Sequence, residues 1–170
     1  MMTLQVAFWI FVILFAFIGS MRGWAKELLV TFSVLVALFV LNLMTYFPPI
    51  RNLFAQPNTE TEFWIRTITL IVMVFFGYQT PKVAKFIGTK FGRERLSDSL
   101  LGFFIGAING YLIVGCIWWF MIDSSYPFPG ITAPNPVPWI VGILPPVWLT
   151  GIVLYFAILI AFLFLLIVLI

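Results

Sequence analysis

The sequence predicts an all-α membrane protein, a polytopic bundle of about five transmembrane helices. Hydrophobic residues make up 63% of the 170-residue chain and charged residues only 9%, whereas soluble domains carry roughly 25% charged residues. A chain of this length buries only about 70% of its surface on folding, so the excess apolar surface must face lipid. The charged residues are also grouped, and long charge-free stretches separate the groups. These stretches approach the ~20 apolar residues that a spanning helix needs.

Five apolar segments define the predicted helices, near residues 4–21, 28–47, 63–80, 100–122 and 148–170. Basic residues follow the first apolar segment rather than precede it, which favours a retained helix over a cleaved signal peptide. Pro48, Pro49 and Pro57 end the second helix, because proline cannot continue a helix interior. Thr59 followed by Glu62 is typical of a capping box and predicts the start of the third helix.

The basic residues predict the orientation of the bundle. Arg22 and Lys26 lie between the first two helices. Five more lie between the third and fourth helices: Lys82, Lys85, Lys90, Arg93 and Arg95. With five spans both connections fall on one side, which the positive-inside rule makes cytoplasmic; the N-terminus is then outside and the C-terminus cytoplasmic. The second basic group surrounds an apolar stripe, Val83, Ile87 and Phe91, and predicts a membrane-surface segment on an anionic inner leaflet. The alternative is that this charge only fixes the topology.

The chain divides into three predicted parts. Residues 1–125 form a four-helix membrane core, residues 126–147 a proline-rich outer loop, and residues 148–170 an additional C-terminal transmembrane helix. Seven of the eleven prolines fall in the loop, so it cannot be regular helix throughout. The stretch "PWIVGIL" between Pro138 and Pro145 predicts a short interfacial helix. This uncharged loop is expected to pack over the outer helix ends or against a partner protein.

The stretch "LLGFFIGAINGYLIVG" carries a row of glycines through the fourth helix. Gly102, Gly106 and Gly110 lie at a spacing of four on one helix face, with Asn109 at its edge. In lipid, small residues let helix backbones approach closely, and a polar side chain adds an interhelical hydrogen bond. These four residues are therefore the predicted helix-packing site, a glycine zipper. The pattern fits a contact within one chain or between subunits.

Two stretches, "SMRGWAKELL" and "LSDSLLGFFIGAINGYLIV", resemble the signatures of the colicin V production (CvpA) family of bacterial inner-membrane proteins. Besides the three glycines, the matching residues are Arg22, Gly23, Lys26, Glu27 and Asp98. Lys26, Ser99 and Asn109 stand where the family commonly has arginine. The resemblance covers residues 1–125 and implies a role in production or export of the toxin colicin V, or in envelope homeostasis. If the family arginines at positions 99 and 109 serve a shared activity, this chain has lost that activity and keeps only the scaffold.

An enzyme is not expected, because the chain has no histidine, no nucleophile motif and no paired carboxylates within one membrane segment. The sequence accordingly predicts no catalytic, metal-ligating or cofactor-binding residues. Its single cysteine, Cys116, lies within the fourth helix and is expected to be a packing residue. Arg66 is the only ionisable residue expected inside a helix, which disfavours transport driven by protonation.

Three functions remain after these exclusions. The favoured one is a noncatalytic CvpA-like scaffold in the bacterial cytoplasmic membrane. The alternatives are an accessory structural subunit of a larger membrane complex, for example an energy-transducing one, and an oligomeric channel or transporter component. The expected partners are the lipid bilayer with its anionic inner leaflet and other membrane proteins or further copies of the chain. Nucleic acid is not an expected partner.

Overall fold

A computed structural model of the chain describes residues 3–46, 60–79 and 95–169, with the backbone alone for Arg95 and residues 164–169. These described parts are helical and contain no β-strand. The elements are α1 (Leu4–Arg22), α2 (Trp24–Met44), α3 (Glu60–Tyr78), α4 (Arg95–Asp123), a 3₁₀ helix (Trp139–Ile143), the short α5 (Pro145–Trp148) and α6 (Gly151–Leu169). Helices α1 to α4 are long and apolar enough to cross a membrane, and α6 adds a shorter apolar helix in its described part. The predicted polytopic helical membrane fold is confirmed.

A single glycine separates α1 from α2. Gly23 has a φ of +85° and donates its backbone N–H to Gly19 O at 3.0 Å. Glycine adopts this left-handed region without the steric cost that a Cβ imposes. Helix α2 then starts at Trp24, several residues earlier than predicted, so Glu27 lies inside a membrane-spanning helix.

The starts of α3 and α4 are also earlier than predicted. Helix α3 begins at Glu60 and includes Glu62, while Thr59 of the predicted capping box lies outside the described residues. Helix α4 begins at Arg95. Its 29 residues extend about 43 Å, more than the roughly 30 Å hydrocarbon core of a bilayer. Some charged residues that were predicted to lie in the connections, such as Glu62 and Arg95, therefore belong to the helices.

Helix α4 lies at the centre of the bundle. It packs along α1 on one side and against α2 and α3 on the other, and α6 packs against α2. Helices α1 and α2 contact each other little although they are consecutive in the chain. The shared core includes the fully buried Val30, Val34, Leu70 and Cys116. Cys116 is thus a packing residue, as the sequence predicted.

The proline-rich loop turns back between the helices. Ile140 and Leu144 are fully buried against α1 and α4, and Pro145 packs on Gly115 of α4. At 1.5 Å per residue, Gly115 lies ~12 Å below the end of α4, so the loop does more than cover the helix ends. Because it carries no charge, its burial involves no ionic desolvation penalty. The predicted short helix is the 3₁₀ helix Trp139–Ile143.

Candidate functional site

Three glycines bring α1 and α4 into backbone contact. Gly102 and Gly106 of α4 lie against Gly19 of α1. A Cβ added at Gly106 would lie 2.5 Å from Phe15 O, and one added at Gly19 would lie 2.8 Å from Gly106 Cα. Two of the predicted packing residues therefore lie at a contact within the chain. Gly19 was not predicted as a packing residue, although it lies one turn before the Arg22–Gly23 signature.

The same glycine face continues along α4 to Gly110. A Cβ at Gly110 would lie 2.9 Å from Val12 Cα of α1. Asn109, which was predicted at the edge of this face, forms its interhelical hydrogen bonds with α2 rather than with α1, through a fully buried side chain. A further close contact that the sequence analysis missed joins α2 and α3, where Gly77 lies against Ser33.

Asn109 connects α4 to a buried carboxylate in α2. Its amide nitrogen donates to Glu27 Oε2 at 2.8 Å and to the Glu27 backbone carbonyl at 2.8 Å. The Thr31 hydroxyl donates to Asn109 Oδ1 at 2.7 Å. Both ends of the Asn109 amide are therefore bonded to α2.

Glu27 is also paired with the last residue of α1. Arg22 Nη1 lies 3.2 Å from Glu27 Oε1, and the Arg22 guanidinium carbon lies 3.9 Å from the centre of the Tyr78 ring. The Glu27 side chain is 0% exposed, against 23% for Arg22. The expectation that Arg66 is the only ionisable residue inside a helix is therefore wrong. The error follows from placing the start of α2 after Glu27.

Two adjacent residues of α4 bond to the ends of α1 and α2. Asp98 Oδ1 accepts a hydrogen bond from the Trp24 N–H at 3.2 Å, at the start of α2, where a helix cannot supply an acceptor from its own backbone. The Ser99 hydroxyl donates to the Ser20 carbonyl at 3.0 Å, in the last turn of α1. A Cβ at Gly23 would lie 2.7 Å from Asp98 Oδ2, so a larger residue there would displace the carboxylate.

Comparison of the chain with known proteins identifies its family. A family model described as colicin V production protein matches residues 4–135. The chain belongs to this family. No curated protein and no solved structure matched the chain. The match includes α1 to α4. It therefore includes every residue of the glycine contact and of the polar cluster, which consists of Arg22, Gly23, Glu27, Asp98 and Asn109.

In this family member, the structure brings together Arg22, Gly23, Glu27 and Asp98 at one end of the bundle. Lys26 is exposed and lies outside the cluster. Lys82, Lys85, Lys90 and Arg93 lie outside the described residues, and only the backbone of Arg95 is described. Within the described ranges, no three acidic, cysteine or histidine residues are placed to hold a metal ion.

A cleft of about 400 Å³ opens beside these residues in the colicin V production family protein. Arg22, Gly23 and Asp98 line its polar part, and Met21 and Leu96 line its apolar part. Met21 is 86% exposed and Leu96 77% exposed. Arg22 and Asp98 are therefore accessible from one side at this end of the bundle, whereas the fully buried Glu27 does not line the cleft.

Replacing Asp98 with alanine is expected to lower the free energy of unfolding by about 0.5–2 kcal/mol, because the first N–H of α2 loses its acceptor. The measurement is denaturant unfolding of the purified protein in detergent, followed by tryptophan fluorescence. Asp98→Asn is the matched control, since it keeps a side-chain oxygen and should retain most of the stability. Equal stability of Asp98→Ala and the wild type would show that the hydrogen bond between Asp98 and the Trp24 N–H contributes nothing to the free energy of unfolding.

Proposed function

We propose that this family member is a noncatalytic scaffold of the bacterial cytoplasmic membrane, acting in colicin V production or export, or in envelope homeostasis. The observation that supports this proposal most is that the residues of the family motif make structural contacts between helices. Arg22, Gly23, Glu27 and Asp98 contact the ends of neighbouring helices and fix their arrangement. These are packing and capping contacts, and a scaffold needs such contacts more than it needs reactive groups.

The outward faces of the bundle also suit this role. Large apolar side chains of α1, α3 and α4 are exposed, among them Phe17 at 59%, Phe76 at 63% and Phe104 at 62%. In a membrane these faces contact lipid or other membrane proteins. A bundle with a fixed interior and apolar outer faces can hold such proteins in a defined arrangement, because helix association in lipid depends on shape-matched packing.

Purification from the native membrane in mild detergent, read by mass spectrometry, tests the scaffold. The expected result is a set of other membrane proteins in fixed ratio to this chain. The variant Lys26→Met, altered at an exposed position outside the cluster, should retain them. A chain that purifies alone, or only with further copies of itself, contradicts the proposal. Recovery of an intact energy-transducing complex would favour the accessory-subunit alternative.

One observation favours a second candidate, an oligomeric channel or transporter component. Glu27 is a buried carboxylate in a membrane-spanning helix, and its partner Arg22 lines the 400 Å³ cleft. Ionisable residues in such positions often mark ion or proton pathways. Purified protein in liposomes should then pass ions or small solutes, and Glu27→Gln should reduce the flux. Flux no higher than in protein-free liposomes would remove this candidate.

The proposed orientation, with the N-terminus outside, gives a labelling prediction. Ala133 and Lys26 are both exposed, at opposite ends of the bundle, whereas the native Cys116 is fully buried. In intact cells, a membrane-impermeant maleimide is expected to label Ala133→Cys, but to label Lys26→Cys only after lysis. The wild type is the control and should remain unlabelled. The reverse labelling pattern would show the opposite orientation, with the N-terminus in the cytoplasm.

A further inference from the structure

The cleft of about 400 Å³ beside Gly23 is lined by residues from the end of α1 and the start of α4. We call it the Gly23 cleft. Because α1 ends at Arg22 and α2 begins at Trp24, the cleft lies where the apolar spans end. In a bilayer this is the level of the lipid head groups. The volume falls within the range of about 300–1,000 Å³ that is typical of small-molecule sites.

Two opposite charges line the Gly23 cleft without pairing with each other. Arg22 forms its ion pair with the buried Glu27, and Asp98 accepts a hydrogen bond from the Trp24 N–H. Among the described residues, no ion pair joins Arg22 to Asp98. A ligand that carries both an anionic and a cationic group therefore complements the cleft.

Arg22 retains donors for the anionic group of such a ligand. A guanidinium has five N–H donors, and the Arg22 nitrogen Nη1 lies 3.2 Å from Glu27 Oε1. Nη1 is the only Arg22 nitrogen that is buried without a hydrogen bond. The other nitrogens are accessible, in a side chain that is 23% exposed and lines the cleft. They can donate to the oxygens of a phosphate, which guanidinium groups bind strongly.

Asp98 and two serines supply acceptors for the cationic group. Asp98 uses Oδ1 for the Trp24 N–H, and Oδ2 forms no hydrogen bond with the described residues. The Ser20 and Ser99 hydroxyls donate to the backbone carbonyls of Phe17 and Ser20, so their oxygens remain acceptors. A primary ammonium carries three N–H donors, whereas a trimethylammonium carries none. The cleft therefore favours a primary ammonium as the cationic group.

We propose that the Gly23 cleft binds phosphatidylethanolamine, with the phosphate at Arg22 and the primary ammonium at Asp98. The rim of the cleft favours a lipid over a soluble zwitterion, because Met21 and Leu96 are 86% and 77% exposed and offer apolar surface to the acyl chains. In the proposed orientation this lipid belongs to the cytoplasmic leaflet. The inference does not depend on the scaffold proposal, because it requires no protein partner.

Native mass spectrometry of the detergent-purified protein tests this site. The protein is mixed with equal amounts of phosphatidylethanolamine, phosphatidylcholine and phosphatidylglycerol that carry identical acyl chains. The wild type is expected to retain several-fold more phosphatidylethanolamine than either of the other lipids. Asp98→Asn keeps an oxygen for the Trp24 N–H but loses the charge, so it should retain the two zwitterionic lipids equally. Thr150→Val, at an exposed position at the other end of the bundle, is the control and should keep the wild-type preference.

A soluble competitor distinguishes a lipid from a free zwitterion. Glycerophosphoethanolamine carries the same head group without acyl chains, and at the concentration of the lipid it should not displace phosphatidylethanolamine. Displacement by this competitor would overturn the assignment of a lipid to the cleft. Equal retention of the two zwitterionic lipids by the wild type, or a preference for the anionic lipid, would overturn the proposal as a whole.

A second variant covers the case in which Asp98→Asn does not fold. Ser99→Ala removes one acceptor oxygen from the cleft and should reduce the preference for phosphatidylethanolamine over phosphatidylcholine. A wild-type preference that survives in either folded variant would place the head group elsewhere.

Discussion

Leucine in place of Gly106 is expected to prevent α1 from packing on α4 and to reduce the amount of folded protein in the membrane. Even a Cβ at this position lies 2.5 Å from Phe15 O and 2.9 Å from Gly19 Cα, both backbone atoms that no side-chain rotation can move. Overpacking of a core typically costs about 1–3 kcal/mol. We expect a loss of at least about 3 kcal/mol in the free energy of unfolding, because two backbones must separate.

The same substitution at Gly142 is the matched control. A Cβ there meets no atom within 4 Å, and the residue lies in the exposed part of the 3₁₀ helix. Membrane accumulation and unfolding in detergent are measured for both variants. Gly142→Leu should behave as the wild type, whereas Gly106→Leu should accumulate poorly. Normal accumulation and stability of Gly106→Leu would show that the glycine contact does not hold the bundle together.

The sequence predicted the spanning helices because lipid exposure requires long apolar segments, and these are visible without any tertiary information. It misplaced the helix starts because charge was taken to mark a helix end. Glu27 and Glu62 are acidic residues that lie inside helices, each within ion-pair distance of an arginine. The sequence also could not indicate how deeply the proline-rich loop lies between the helices, because that depth depends on a tertiary contact of Pro145 with Gly115.

The candidate site was predicted as separate residues rather than as one assembly. Spacing placed Gly102, Gly106 and Gly110 on one face, since residues four apart share a face of a helix. Periodicity gives no information about the facing helix, so Gly19 was missed. It placed Asn109 at the edge of that face with an interhelical hydrogen bond, but could not indicate that the partner helix is α2. The family motif named Arg22 and Glu27, but only the fold shows that they form a buried ion pair.

Removing Arg22 is expected to destabilise the protein more than removing the charge of Glu27. The Glu27 side chain is fully buried, so Arg22→Met leaves a carboxylate without its cation and costs about 3–5 kcal/mol. The Arg22 side chain is 23% exposed although its Nη1 is buried, so after Glu27→Gln the arginine is less completely desolvated than the carboxylate would be, and the loss is smaller. Unfolding in detergent measures both, with Lys26→Met as the control for loss of an exposed positive charge.

A double-mutant cycle isolates the energy of the pair. The variant with both Arg22→Met and Glu27→Gln should lose less stability than the sum of the two single losses, by about 0.5–3 kcal/mol, the usual range for residues in contact. Additive losses would mean that the two charges do not stabilise each other. In that case the arrangement would depend on the hydrogen bonds of Asn109 and on the contact of Arg22 with Tyr78.

The position of Asn109 offers a rescue of the Arg22→Met variant. Its amide nitrogen lies 2.8 Å from Glu27 Oε2, on the helix that faces this carboxylate. Asn109→Arg in the Arg22→Met background should place a guanidinium beside the same carboxylate and restore about 1–3 kcal/mol of stability. Asn109→Leu in that background supplies comparable bulk without charge and should restore none. If both residues rescue equally, the stability of this cluster depends on packing and not on the compensation of a buried charge.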